Sequence, residues 1–214
     1  MQTATGLSLT GERLDKFFTA CWGKNCIFGS WYNIKINLRK QIYMEKQLFL
    51  GDEAIAQAAI DAGISGVYAY PGTPSTEITE YIQGSAVAKE RGIHSRWSAN
   101  EKTAMEAALG MSYAGKRSLC CMKHVGLNVA ADCFMNAGMS GINGGMIIIT
   151  ADDPSMHSSQ NEQDNRVYGN FAMIPMLEPS SQQEAYDMVY EGFELSEKLG
   201  YPILMRITTR MAHS

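Results

Sequence analysis

The chain has 214 residues, of which 45% are hydrophobic and 19% charged, with 18 basic and 22 acidic side chains for a net charge of −4. This composition is that of a soluble globular protein with one sizeable α/β domain or two small ones. No basic run favours binding to nucleic acid or to an anionic membrane, and no apolar run approaches the roughly 20 residues that a membrane-spanning helix requires.

The five cysteines predict neither a disulfide framework nor a metal centre. Their number is odd, Cys120 and Cys121 are adjacent, and no pair has the C-x-x-C spacing of zinc or iron–sulfur ligands. Buried, reduced thiols are the better interpretation, and they indicate a cytoplasmic protein. The remaining three are Cys21, Cys26 and Cys133.

Residues 1–43 differ from the rest of the chain. They contain six basic and two acidic residues, so the acidic character of the protein belongs to residues 44–214. They show no sustained helix or strand period, and charges interrupt their apolar residues, which does not fit a signal peptide. We expect a disordered extension at 1–43, a folded domain at 44–214, and Met44 as the natural start.

Beyond this extension, short apolar segments alternate with helical patterns. Asp52, Thr73 and Asn100 are predicted N-caps, because their side chains can accept hydrogen bonds from the first turn of a helix. The apolar run at 144–154 is typical of a buried parallel strand, whereas 155–171 predicts a long polar loop. The predicted helices are 53–63, 73–88, 103–115, 129–141 and one that begins at Ser180 or Ser181 and ends at 200. The predicted strands are 66–72, 93–99, 118–123, 144–154 and 201–210, with a further strand and a turn between 173 and the last helix. A turn is also predicted at 124–128.

This alternation predicts an α/β fold, a doubly wound and mainly parallel sheet with helices on both faces. Ligands of such sheets bind at the carboxyl ends of the strands. The polar candidates of this chain all come directly after predicted strands, so we expect them to meet at one edge. These segments are YPGTPS, SANEK, MKHVGLN, TADDPSMH and TTRMAHS.

Five motifs, in order and closely spaced, carry a resemblance to a known family. They are YPGTPSTE, ANEKTAMEAALGMSYAGKRSL, MKHVGLNVAAD, ITADDPS followed by SSQNEQDNR, and TTRMAHS. Together they resemble the alpha subunits of indolepyruvate ferredoxin oxidoreductases, which are thiamine-diphosphate-dependent 2-oxoacid:ferredoxin oxidoreductases. The resemblance covers about 48–214 and implies the domain that binds the aminopyrimidine ring of the cofactor.

The resemblance implies an enzyme that oxidatively decarboxylates aryl pyruvates to acyl-coenzyme A and passes electrons to ferredoxin. It also implies a beta subunit as partner and an oligomeric assembly. The sequence lacks the family's Gly-Asp-Gly domain for Mg²⁺ and the diphosphate, and it lacks the cysteine-rich iron–sulfur segment. We therefore expect half of a cofactor site in this chain, and no activity from the chain alone.

Glu101 is the central candidate. From its position alone it is a first-turn glutamate after Asn100, which favours a structural role at the positive end of a helix. The resemblance places it on the glutamate that hydrogen-bonds a nitrogen of the aminopyrimidine ring, where a carboxylate favours the imino tautomer. On that basis Glu101 is a catalytic and cofactor-binding residue.

The resemblance implies further roles at the same edge of the sheet. It assigns Asn128 to cofactor binding, and Thr73, Lys123 and His124 to substrate binding. Structural alternatives remain open, because Thr73 could be a plain N-cap and a lone histidine such as His124 is often a hydrogen-bonded structural residue. No residue has a recognisable metal-ligand spacing, and this includes the group Asp152, Asp153 and His157.

Two alternative functions remain open. Within the same family, the substrate could be pyruvate or another 2-oxoacid. In another class, the chain could be a non-catalytic α/β module that binds a ligand or partner, with Glu101 purely structural. The coding sequence beyond Ser214 distinguishes the two classes, since only the enzyme requires a Gly-Asp-Gly domain and clustered cysteines.

Overall fold

The computed structural model describes residues 47–214, which form a six-stranded sheet with every strand pairing parallel. The doubly wound parallel sheet predicted from the sequence is confirmed. The predicted extension at 1–43 and the proposed start at Met44 lie outside the described residues. The strands are β1 (Gly66–Ala69), β2 (His94–Trp97), β3 (Ser118–Lys123), β4 (Met146–Asp152), β5 (Met176–Leu177) and β6 (Ile203–Thr208).

The strand order is β2-β1-β3-β4-β6-β5. The chain moves outward from β1 to β2 and then returns to the other side of β1 with β3, so its direction across the sheet reverses between β1 and β3. Val67 pairs with Leu119 across this reversal. In doubly wound sheets such a reversal opens a crevice at the carboxyl ends of the two strands, and ligands bind there.

Helices cover both faces of the sheet between these strands, as the alternating pattern predicts. The described residues contain α1 (Gly51–Asp61), α2 (Thr76–Gly84), α3 (Ala86–Glu90), α4 (Glu101–Tyr113), α5 (His124–Ser140), α6 (Arg166–Ala172), α7 (Gln182–Leu199) and α8 (Thr209–Ala212). Helices α1, α2 and α7 contribute to one core, and α4 and α5 to the other. No helix of residues 47–214 has the length and apolar character that crossing a bilayer requires.

Successive side chains of the central strands enter opposite cores. In β4, Ile147 and Ile149 belong to the core under α1 and α7, while Met146 and Ile148 belong to the core under α4 and α5. All of them are fully buried. Each such side chain contributes about 1.5–3 kcal/mol by leaving water, which explains the unbroken apolar run of this strand.

Small residues let the first helix pack closely against the end of the chain. Gly51 opens α1 beside the backbone of α8, and a Cβ atom at Gly51 would lie 2.0 Å from the carbonyl oxygen of Met211. Ala58 and Ala59 of the same helix are fully buried. The small residues of this helix therefore serve close packing.

One predicted N-cap is confirmed and two were wrong. The Asn100 side chain accepts a hydrogen bond from the backbone N–H of Thr103 at 2.9 Å. Asp52, in contrast, lies inside the first turn of α1, where it is buried. Thr73 lies three residues before α2, which Ser75 precedes.

The start of α2 differs because a turn comes first. The carbonyl of Gly72 accepts hydrogen bonds from the backbone N–H and the hydroxyl of Ser75, at 3.0 and 2.9 Å. The hydroxyl of Thr76 accepts one from Gly72 N–H at 2.9 Å. These bonds hold the backbone in a turn through Thr73, so the helix begins later than the N-cap pattern predicts.

Several other boundaries differ from the predictions. The turn predicted at 124–128 is wrong, since α5 begins at His124 directly after β3. The predicted helix at 73–88 is two helices that meet at Ser85, and the last strand ends at Thr208 with α8 behind it. Part of the predicted loop at 155–171 is α6, which at seven residues is too short to show a helical period. The alternating pattern locates elements better than it locates their ends.

The contact of Gly51 generates a stability prediction. We expect Gly51→Ala to lower the free energy of unfolding by about 1–3 kcal/mol, because the added methyl group meets backbone that cannot move independently. The matched control is Gly110→Ala in α4, where nothing lies within 4 Å of the added Cβ atom. There we expect a gain of about 0.5–1 kcal/mol. Urea denaturation of both variants measures the difference, and a loss at Gly110 equal to that at Gly51 would contradict the packing argument.

Candidate functional site

The candidate site lies where the chain reverses between β1 and β3. The segment after β1 leads through Gly72 to Thr73, and β3 ends at Lys123. The Lys123 side chain lies against Gly72, because a Cβ atom at Gly72 would be 3.2 Å from Lys123 Cδ. The predicted convergence of these two segments is therefore present in the structure.

Glu101 stands at the first position of α4, after the Asn100 cap. Its side chain is nearly buried, at 8% exposure. It packs against α5 at Gly126, where a Cβ atom would lie 2.6 Å from Glu101 Cγ and 2.7 Å from Oε1. Within the described residues, no hydrogen bond reaches its carboxylate, so its acceptor capacity is free for a donor from outside residues 47–214.

Gly126 is a site residue that sequence reasoning missed. Any larger residue at position 126 would displace the Glu101 carboxylate, because the backbone of α5 lies in contact with the Glu101 side chain there. Gly126 stands in the motif KHVGLN, within the turn predicted at 124–128, where a glycine is ordinary and gave no signal. Its place inside α5 became visible only in the structure, where close packing requires a glycine.

The first turn of α5 presents a second face to the polar loop at 153–165. His124 and Asn128 are four residues apart and therefore lie on one side of the helix. The side chain of Asn128 exchanges two hydrogen bonds with Gln163, at 2.8 and 3.0 Å, and also accepts one from Tyr168. Lys123 Nζ donates to the carbonyl of Ser158 at 3.1 Å.

His124 is fully buried, and its contacts define its tautomer. Its Nε2 atom lies 3.1 Å from the carbonyl oxygen of Asn161, which can only accept, so Nε2 carries the proton. The other ring nitrogen, Nδ1, is then an acceptor, and it is buried with no hydrogen-bond partner among residues 47–214. In this structure His124 therefore binds the loop at 153–165 through Nε2.

A buried ion pair secures the base of the same loop. Arg206 of β6 donates from Nε to Asp152 of β4 at 2.7 Å, and it also pairs with Glu178. The second donor to Asp152 Oδ2 is the backbone N–H of Asn165, at 3.1 Å. Asn165 is fully buried and donates to the His124 carbonyl at 3.2 Å. Burial raises the pKa of Asp152, while the Arg206 guanidinium acts in the opposite direction.

Asp153 anchors the other end of the loop. It accepts hydrogen bonds from the backbone N–H of Ser158 at 2.7 Å and from the Thr209 hydroxyl at 2.9 Å. Burial acts to raise the pKa of Asp153, but these hydrogen bonds outweigh it and hold the pKa well below its ordinary value. Both carboxylates of the Asp152–Asp153 pair are thus engaged by protein groups.

Four of the five predicted site residues contact either α5 or the loop at 153–165. Glu101 packs on α5, and Lys123, His124 and Asn128 all bind the loop at 153–165. Thr73 is exposed and makes no hydrogen bond with any residue of 47–214. The loop residues that complete the network were not predicted individually, because polar side chains in a loop carry no period; they are Ser158, Asn161, Gln163 and Asn165.

Residues 57–214 match the family model described as pyruvate flavodoxin/ferredoxin oxidoreductase, thiamine diphosphate-binding. The chain belongs to this family. The match covers every strand of the sheet, and it confirms the family resemblance on which the residue assignments rest. A nearly buried carboxylate with free acceptor capacity fits a cofactor whose ring offers an N–H donor.

Several relatives of this chain are named indolepyruvate oxidoreductase subunit IorA. The one from Pyrococcus horikoshii is 55% identical over 169 residues, which are 79% of this chain and 26% of the relative. The one from Archaeoglobus fulgidus is 52% identical over 172 residues, 79% of this chain and 28% of the relative. The chain thus spans about a quarter of the length of these relatives.

A more distant relative and a solved structure have other names. The 2-oxoglutarate synthase subunit KorA of Methanothermobacter thermautotrophicus is 27% identical over 170 residues, 75% of this chain and 44% of the relative. A 2-oxoglutarate:ferredoxin oxidoreductase from Magnetococcus marinus, solved with 2-oxoglutarate, coenzyme A and succinyl-CoA, has a TM-score of 0.66 at 23% identity. That match covers 77% of this chain and 30% of the other, and it establishes the common fold.

The buried ion pair generates a prediction for this site. We expect Arg206→Met to cost about 3–5 kcal/mol of stability, because it leaves Asp152 buried without its charge partner. Amide hydrogen exchange should also become faster at 155–165, since Asp152 orients Asn165 at the end of the loop.

The matched control is Lys198→Met on α7. Its partner Glu194 lies one turn away at 3.6 Å, and both side chains are about half exposed. We expect a change below about 0.5 kcal/mol and no change in exchange at the loop. Equal effects of the two variants in urea denaturation would show that the Arg206 pair has no special role.

Proposed function

We propose that this chain supplies the aminopyrimidine half of a thiamine diphosphate site in an oxidoreductase that decarboxylates indolepyruvate and related aryl pyruvates to acyl-coenzyme A. The observation that carries the proposal is the Glu101 carboxylate, nearly buried at the start of α4 and with no hydrogen-bond donor from the described residues. Ferredoxin is the proposed electron acceptor.

The chemistry assigned to Glu101 follows from its surroundings. Bound thiamine diphosphate supplies a carbon nucleophile once a proton has left its thiazolium ring. Glu101 would accept a hydrogen bond from the pyrimidine ring and so hold the tautomer that takes up this proton. Packing against Gly126 keeps the carboxylate in one position and restricts water around it, which strengthens a charged hydrogen bond.

The remaining assignments use the segments around the crevice. Asn128 is proposed as a second cofactor contact, and Thr73, Lys123 and His124 as substrate contacts. Thr73 is exposed at the crevice and makes no competing hydrogen bond within residues 47–214, which supports this role. Lys123 and His124 bind the loop at 153–165, so a substrate would reach them when that loop moves.

The choice of substrate rests on the relatives. Subunits named for indolepyruvate are 48–55% identical to this chain, whereas subunits named for 2-oxoglutarate are 26–27% identical. The alternative is another 2-oxoacid such as pyruvate, and competition between indolepyruvate and pyruvate in the complete enzyme decides between them.

The complete enzyme requires parts that lie outside this sequence. Mg²⁺ and the diphosphate need a second domain, and electron transfer needs iron–sulfur clusters. The subunit name of the relatives implies other subunits, and we propose that these are a beta subunit within an oligomeric assembly. We place this assembly in the cytoplasm, where the reduced thiols of Cys120, Cys121 and Cys133 are stable.

In the assembled oxidoreductase, Glu101→Gln should lower turnover of indolepyruvate by at least about 100-fold, because the amide cannot accept and share a proton as the carboxylate does. Thermal stability should remain close to wild type, since only a first-turn charge of about 0.3–1 kcal/mol is lost. The control is Glu106→Gln, on the same helix but exposed, which should retain normal turnover. Near-normal turnover of Glu101→Gln would refute the assignment.

Gly126→Ala tests the same contact sterically. The methyl group would overlap the Glu101 side chain, so we expect a loss of turnover at least about tenfold with a smaller loss of stability. Gly110→Ala adds the same methyl group to a helix with open space around it and should leave turnover unchanged. If the Gly126→Ala enzyme were as active as the control, turnover would not depend on the position of the Glu101 side chain against Gly126.

The isolated chain should bind thiamine diphosphate weakly, with a dissociation constant well above the micromolar range. The charged end of the cofactor has no Mg²⁺ clamp here, so the binding energy comes from the pyrimidine contacts alone. Calorimetry with thiamine diphosphate and Mg²⁺ measures this, and micromolar or tighter binding would contradict the division of the site between two domains.

A further inference from the structure

A second group of polar side chains lies away from the β1/β3 crevice. Asp52 in the first turn of α1, Glu77 in the first turn of α2 and His213 after α8 place one ligand atom each within 4.8 Å of one another. They line a cleft of about 220 Å³. These residues come from three separate segments, so no sequence spacing predicts the group.

Asp52 has an unusual environment for a carboxylate. It is 1% exposed, and neither of its oxygens has a hydrogen-bond partner among the described residues. One oxygen of Glu77 is buried in the same unpartnered state. Buried polar atoms in native proteins nearly always have partners, so these oxygens require a ligand or a proton.

The charge around the cleft favours a cation. Glu53 and Glu80 also line it, and none of its described lining residues is a lysine or an arginine. Three glutamates thus surround the buried Asp52, and a divalent cation is the ligand that neutralises such a group of carboxylates.

We propose that Asp52, Glu77 and His213 form a binding site for a divalent transition-metal ion of the Zn²⁺ type. Two carboxylates and an imidazole are ligands that such ions accept, and water completes the coordination. The His213 Nε2 and Glu77 Oε1 atoms are 3.6 Å apart, which suits two ligands at about 2.0–2.2 Å from one ion.

The site also has an entry path and room to adjust. Glu77 and His213 are 40% and 37% exposed, so their side chains can close on an ion by a few tenths of an ångström while the buried Asp52 stays in place. An ion here would join the starts of α1 and α2 to the segment after β6. The close contact of Gly51 with Met211 already holds the first and last of these together.

Zinc titration of the full 214-residue chain tests the proposal. We expect one Zn²⁺ ion whose affinity falls at least tenfold in Glu77→Gln and in His213→Gln, because each removes a ligand atom. The control is Glu80→Gln, which removes a charge from the same cleft and the same helix but no ligand, and which should change the affinity less than about twofold. Equal losses of zinc affinity in Glu77→Gln and Glu80→Gln would overturn the proposal. Zinc would then be attracted by the negative charge of the cleft as a whole, without specific ligands.

Two further measurements distinguish this site from zinc bound elsewhere on the chain. Zinc should raise the melting temperature of the wild type and Glu80→Gln but not of Glu77→Gln, since only a folded site gives linked stabilisation. X-ray absorption should find nitrogen and oxygen ligands near 2.0–2.1 Å, whereas sulfur at about 2.3 Å would assign the ion to cysteines. Sulfur ligation, or no binding at all, would overturn the proposal and leave Asp52 a protonated buried carboxyl. None of these measurements depends on turnover.

Discussion

The ion pair between Asp152 and Arg206 is the interaction on which the candidate site depends. It joins β4 to β6, and a buried charge pair is stable only when it is well hydrogen-bonded. Arg206 Nε and the backbone N–H of Asn165 both donate to Asp152 Oδ2, while Asp152 Oδ1 is buried with no partner among residues 47–214. The Asn165 side chain in turn donates to the carbonyl of His124. The end of the sheet, the loop and the start of α5 are therefore one connected unit.

Close helix packing sets the second constraint. Glu101 has its position because Gly126 lets α5 approach the start of α4, and the same close approach leaves the residue only 8% exposed. A carboxylate held in this way, with no donor from the surrounding described residues, is prepared for a ligand that donates a hydrogen bond. This connects the small-residue helices of the sequence to the proposed cofactor chemistry.

The two proposed sites use the fold in different ways. The first lies at the carboxyl ends of β1 and β3, where reversal of the strand order creates a crevice. The second joins the starts of α1 and α2 to the residue after α8, and it depends on the packing of Gly51 against Met211. The first site is proposed to be completed by groups from outside residues 47–214, whereas the second is composed entirely of residues within that range.

The sequence by itself determined the fold class, the identity of most elements and the edge of the sheet where the candidate residues meet. These features come from local patterns, since a short apolar run such as 146–152, rich in isoleucine and flanked by Gly and Pro, favours a buried strand, and the residues after it then lie at its carboxyl end. Local patterns failed where a turn delayed α2 beyond Thr73 and where α5 began at His124 without a turn. Only the tertiary structure decided that Gly126 meets Glu101, that Asp152 pairs with Arg206, and that Asp52 faces His213. Those contacts join residues far apart in the chain, and they depend on the distances at which whole helices and strands pack, which no local spacing encodes.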